Sequence, residues 1–96
     1  MNEQEALVFI QRILTMAPTV QQAGMMLSQM YSIIDPRRKE NPDLNRVLSY
    51  IQTALQSIPE SREIALKGAS LTAEDLKIAR ERAHEREIRE MQQTRC

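Results

Sequence analysis

The chain has little of what several functional classes of small protein require. Among its 96 residues are one cysteine, two glycines and no tryptophan. Because Cys96 is the single cysteine, no disulfide can form within the chain, and nothing indicates a secreted, disulfide-stapled scaffold. Gly24 and Gly68 stand alone, whereas a phosphate-binding loop needs several glycines at fixed spacing. A reducing compartment and a fold without a nucleotide loop are therefore expected.

The residues that carry most enzymatic chemistry are also scarce. His84 is the single histidine, so no Ser/His/Asp or Cys/His assembly is plausible within one chain. Glu81 and His84 have the spacing of di-iron ligands on a helix, but such a site needs two pairs and further carboxylates in a shielded core. We predict that the protein is not an enzyme and holds no cofactor or metal.

Charge of one sign is not in excess, since 13 basic residues face 13 acidic ones. No global field therefore attracts polyanions. The aromatic residues Phe9, Tyr31 and Tyr50 are too few for a platform that stacks nucleic-acid bases. A nucleic-acid function would have to use a local patch, and the strongest is Arg37-Arg38-Lys39, which is predicted to lie in a turn.

Long hydrophobic runs are absent as well. No stretch approaches the roughly 18 apolar residues of a membrane span. Glu3 and Glu5 occupy the region where a signal peptide carries positive charge. The expectation is a cytoplasmic protein without membrane association.

What the chain does contain is helical periodicity, with apolar residues recurring at intervals of three and four. Three helices are predicted, over about 3–16, 19–34 and 42–58, the second capped by Thr19 and the third by Asn41 with Pro42 at its first position. Their apolar faces predict a three-helix bundle over residues 1–58. On the first helix the predicted core face is Ala6, Phe9, Ile10, Ile13 and Leu14.

The rest of the chain is predicted to form a connector and one long helix. Residues 59–71 form a connector with a short helix, which Gly68 closes in the left-handed conformation. Thr72 and Asp75 resemble a capping box, and Leu71 can pack on Leu76 as a hydrophobic staple. The fold class is therefore all-α: a three-helix bundle, a short helical connector and a charged C-terminal helix over residues 72–96.

The C-terminal helix carries six basic and six acidic residues between positions 74 and 95. An arginine-rich arm binds phosphates through excess positive charge, so this balance disfavours it. Leu76, Ala79 and Ala83 share one face, which predicts docking of the first half. A second stripe predicts a projecting half that binds a partner; the alternative is fraying after Ala83. This stripe contains His84, Ile88 and Met91.

The function predicted from these features is a non-enzymatic protein-binding module, such as an adaptor, assembly chaperone or inhibitor. It would act by helix-to-groove contacts with another protein and as a homodimer, because a core this small is marginal alone. Val8 and Met25 lie off the core faces of their helices and indicate apolar surface for a dimer or a target. The predicted partner-binding residues are Met25, Met26, Arg82, His84, Arg86, Ile88, Arg89 and Met91.

The alternative function is a small dimeric nucleic-acid-binding regulator. It would place Arg37, Arg38 and Lys39 on phosphates, together with the arginine stripe of the C-terminal helix.

Overall fold

The computed structural model of the chain describes residues 1–68 and 70–93 and forms five α-helices in those ranges. None of their residues is in a β-strand, which confirms the all-α fold class for this part of the chain. None of these helices is both long enough and apolar enough to cross a bilayer. Cys96 lies outside the described residues. The helices are α1 (Glu3–Met16), α2 (Val20–Ile34), α3 (Leu44–Gln56), α4 (Ile58–Leu66) and α5 (Ala73–Gln93).

Local polar groups fix where α2 and α5 begin. The hydroxyl of Thr19 accepts a hydrogen bond from the Gln22 amide at 3.1 Å. At the start of α5, the Thr72 hydroxyl accepts from the Asp75 amide at 3.1 Å, and the Asp75 carboxylate accepts from the Thr72 amide at 3.0 Å. Each contact satisfies an amide that has no partner within its helix. The predicted Thr19 cap and the Thr72 capping box are confirmed.

Two other boundaries differ from the sequence prediction. Helix α3 begins at Leu44 rather than at Pro42, because the backbone before it forms a turn in which the Leu44 amide donates to the Asn41 carbonyl at 3.0 Å. The Asn41 side chain accepts from the Asp43 amide at 3.1 Å, as a capping residue does. Helix α3 ends at Gln56 rather than at Ile58, and Pro59 lies in the first turn of α4, where proline is tolerated. Gly68 ends this region with φ of 84°, the predicted left-handed conformation.

The core forms where all five helices contribute apolar side chains. Ile10, Leu14, Leu27, Ile51 and Leu76 are each at most 1% exposed. Helix α3 packs against α2 and α5, and α4 packs against α1 and α5. Helix α4 is thus part of the packed body, and α5 is held between α3 and α4. The division at residues 58 and 71 stays a prediction.

The core face of α1 is narrower than the sequence suggested. Ala6, Ile10 and Leu14 are fully buried, but Phe9 is 46% exposed, so its predicted place in the core is wrong. The buried residues recur every four positions, which centres the buried face on Ile10. Phe9 is rotated about 100° from Ile10 around the helix axis and lies on the flank.

A buried pair of serines joins α3 to α4. Ser57 and Ser61 are 0% exposed, and their hydroxyl oxygens lie 3.0 Å apart. The Ser57 hydroxyl also lies 2.7 Å from the Thr53 carbonyl, to which it donates. Buried hydroxyls need such partners, because an unpaired one loses its hydrogen bonds to water without replacement.

Ser57→Ala is therefore expected to lower the free energy of unfolding by about 1–2 kcal/mol, since it removes a buried hydrogen-bond partner of Ser61. Adding Ser61→Ala should cost little more, because the second hydroxyl has then already lost this contact. Urea denaturation of the wild type, both single variants and the double variant measures this coupling. Strictly additive losses would show that the two hydroxyls do not depend on each other.

Candidate protein-binding surface on α5

The first half of α5 is docked on the body as predicted. Leu76, Ala79 and Ala83 are between 0% and 2% exposed, and Leu71, which precedes the helix, is 5% exposed. Their spacing of three and four places them on one face. The Leu71 amide also donates to the Gln11 side-chain oxygen at 3.1 Å, which ties the start of α5 to α1.

The second half of α5 has a different environment. Ala83 is the last buried residue among those described, and every residue from His84 to Gln92 is exposed. The backbone nevertheless stays helical to Gln93, so the described part of the chain does not leave the helix after Ala83. Ile88 is 42% exposed and Met91 is 65% exposed. With about 100° per residue, His84, Ile88 and Met91 fall within about 60° of one another and form the apolar stripe of α5.

One ion pair connects this exposed half to the body. Arg86 Nε donates to Glu60 Oε1 at 2.7 Å, although the two residues are 26 positions apart. The Glu60 side chain is only 12% exposed. This hydrogen bond and the Glu60 charge raise the pKa of Arg86 above its ordinary value. Arg86 lies one helical turn beyond the last buried residue, so this pair links the exposed half of α5 to α4.

The arginine residues and the apolar stripe lie on different sides of α5. Arg82, Arg86 and Arg89 are rotated by about 140–200° from His84, whereas Glu81 and Glu85 are rotated by about 60–100°. On the side of the helix between the apolar stripe and these arginines, the charged residues next to the stripe are therefore acidic. A partner that contacts both Ile88 and Arg89 must enclose more than one side of the helix.

An open groove of about 690 Å³ lies beside this half of α5. Glu81 and His84 line it, and both are exposed to solvent. Within the described ranges, no group of three His, Cys, Asp or Glu side chains is arranged to hold a metal ion. The remaining lining residues are Gln56, Arg80, Ala83, Glu85 and Glu87.

The structure does not bring the predicted α2 residues into this surface. Met25 is 63% exposed, as expected for a residue off the core face, and Met26 is 40% exposed. Helix α2 packs against α1, α3 and α4, whereas α5 packs against α3 and α4. Met25 instead borders a shallow cleft with Gly24 and Leu55. The two parts of the predicted site are separate surfaces.

The basic cluster lies at the other end of α3. Arg37, Arg38 and Lys39 are exposed in the segment that precedes α3, and Arg38 pairs with Asp35 at 3.5 Å. The exposed half of α5 lies near Gln56, the last residue of α3. A helix of this length spans roughly 20 Å, so the two basic groups are well separated within one chain.

The sequence did not indicate that Glu60 pairs with Arg86. An acidic residue in the first turn of a helix is favoured by the helix dipole, which explains Glu60 without reference to Arg86.

A second cluster that the sequence did not indicate joins α1 to α3. Arg46 donates to Glu3 at 2.7 Å, and the Tyr50 hydroxyl donates to Glu3 at 3.2 Å. Partial burial and the Glu3 charge raise the pKa of Tyr50 above its ordinary value.

Over residues 1–68 and 70–93 the fold is all-α, with five packed helices, and the exposed half of the last helix extends past the body. Comparison of the chain with protein-family models, with curated proteins and with solved structures gave no match.

Proposed function

We propose that the protein is a non-enzymatic binding module, an adaptor, assembly chaperone or inhibitor, that inserts the exposed half of α5 into a groove of another protein. The observation that carries this proposal is the exposure of Ile88 and Met91 on a regular helix beyond Ala83. Apolar residues at spacings of three and four are the anchors that helix-binding grooves accept. The module acts as a homodimer.

The charges around the apolar stripe indicate what the partner offers. Glu81 and Glu85 border the stripe, so a groove with basic residues along that rim is favoured. Arg82 and Arg89 lie on the far side of α5 and suit acidic groups of a partner that encloses the helix. Arg86 already pairs with Glu60 and sets the direction of the helix before binding. His84 extends the stripe toward the body.

Ile88→Asp combined with Met91→Asp is expected to abolish capture of the partner from the native lysate. Covering the parts of the two side chains that are still exposed stabilises a complex by roughly 1.5–3 kcal/mol, which corresponds to about tenfold to a hundredfold in Kd, and the introduced carboxylates oppose burial further. The melting temperature should change little, because both side chains are exposed in the free chain. The measurement is quantitative affinity capture with the tagged wild type and the variant, with and without nuclease, together with thermal unfolding.

The matched control is Ile33→Asp combined with Leu66→Asp, which replaces two apolar residues of α2 and α4 that are 65% and 59% exposed. This variant should retain the partner. Retention by the Ile88 and Met91 variant, or a large drop in its melting temperature, would contradict the proposal. Recovery of nucleic acid that nuclease removes would favour the alternative built on Arg37, Arg38 and Lys39.

A further inference from the structure

The outward face of α1 is apolar and lies far from the exposed half of α5. Val8, Phe9 and Met16 are 47%, 46% and 76% exposed. Helical geometry places them within about 100° of one another, with Glu5 and Arg12 between them. Glu5 and Arg12 are also exposed, and within the described ranges neither side chain has a salt bridge to the rest of the chain. These five residues are called the α1 face below.

The order of charges along the α1 face is self-complementary. Glu5 and Arg12 lie at equal distances, about 5 Å along the axis, on either side of the midpoint between Val8 and Phe9. When two copies of α1 run antiparallel around a two-fold axis at that midpoint, Glu5 of each copy lies opposite Arg12 of the other. A parallel arrangement would oppose Glu5 to Glu5 and Arg12 to Arg12. Charge therefore selects the antiparallel pair.

The apolar residues fit the same axis. Val8 of one copy meets Val8 of the second beside the axis, and Phe9 meets Phe9 on its other side. Such an isologous contact is what two-fold symmetry produces, because each residue meets its own counterpart or an exchanged pair. Met16 lies further out, at each end of the contact. The apolar centre is thus bordered on both sides by an ion pair between the copies.

We infer that the α1 face binds a second copy of this chain and forms an antiparallel, two-fold symmetric dimer. The inference rests on the homodimer of the proposed function and gives its interface, and it is independent of the partner groove for α5. One helix face about 21 Å long is small beside the roughly 800 Å² per partner of stable interfaces. The dimer is therefore weak and forms reversibly with concentration.

Sedimentation equilibrium of the full chain from roughly 10 μM to 1 mM tests the dimer. Glu5→Arg or Arg12→Glu alone replaces two attractive pairs by two repulsive ones and should weaken the dimer roughly tenfold or more. An equimolar mixture of the two single variants should recover the wild-type affinity, because each introduced charge then faces its opposite. The double variant Glu5→Arg with Arg12→Glu should recover it as well.

Val8→Gln should also weaken the dimer, and Leu66→Gln, at a residue of α4 that is 59% exposed, should not. Glutamine favours helix at least as well as valine, so the loss at Val8 does not come from unfolding of α1.

A wild type that stays monomeric to 1 mM overturns the inference. So does a mixture of single variants that remains monomeric, or a dimer that is lost with Ile88→Asp and Met91→Asp but not with Val8→Gln. The α5 proposal is tested separately, by partner capture. The substitutions in the α1 face do not alter the α5 surface, so capture can still be measured with them.

Discussion

A chain shortened to residues 1–71 is expected to lose its cooperative unfolding transition. Without α5, the faces of α3 and α4 that cover Leu76, Ala79 and Ala83 become exposed to water. A helical core of about 70 residues rarely provides more than 3–5 kcal/mol of stability, so loss of a whole packed helix removes most of it. Circular dichroism during heating and urea titration measures the effect.

The matched control is a chain shortened to residues 1–87, which keeps the buried half of α5 and the Arg86–Glu60 pair. It should unfold cooperatively, with a midpoint close to that of the full chain. If residues 1–71 alone unfolded with the same midpoint, the first four helices would be self-sufficient.

Leu76→Ala is expected to lower the free energy of unfolding by about 3 kcal/mol. Leu76 is 1% exposed and lies among side chains of the main core, so its removal leaves a cavity that the surrounding helices fill only in part. Ile88→Ala on the same helix should change the free energy by less than about 0.5 kcal/mol, because Ile88 is 42% exposed. Urea denaturation of both variants compares the two halves of α5 directly.

Alanine favours helix more than leucine or isoleucine does, so neither loss can come from weaker helix formation. A loss at Ile88 close to that at Leu76 would show that the apolar stripe of α5 is part of the core. That result would also contradict the proposed use of Ile88 as a partner anchor.

Short stretches of sequence determine several helix starts and the faces of α5. Thr19 and the Thr72 capping box mark helix starts because a side chain and an amide three residues apart are brought together by the helical turn itself. The periodicity of α5 places Leu76 and Ala83 on a different face of the helix from Ile88 and Met91. Local backbone geometry sets both patterns, so the sequence alone was sufficient.

Contacts between distant residues needed the tertiary structure. Arg86 reaches Glu60 across 26 positions, and Arg46 reaches Glu3 across 43. Phe9 has the same apolar character as Ile10, yet Ile10 is buried and Phe9 is half exposed. The sequence of one helix determines the angle of each side chain around that helix axis. Whether a side chain at a given angle faces a neighbouring helix or water depends on how the helices pack. Only the tertiary structure determines that packing.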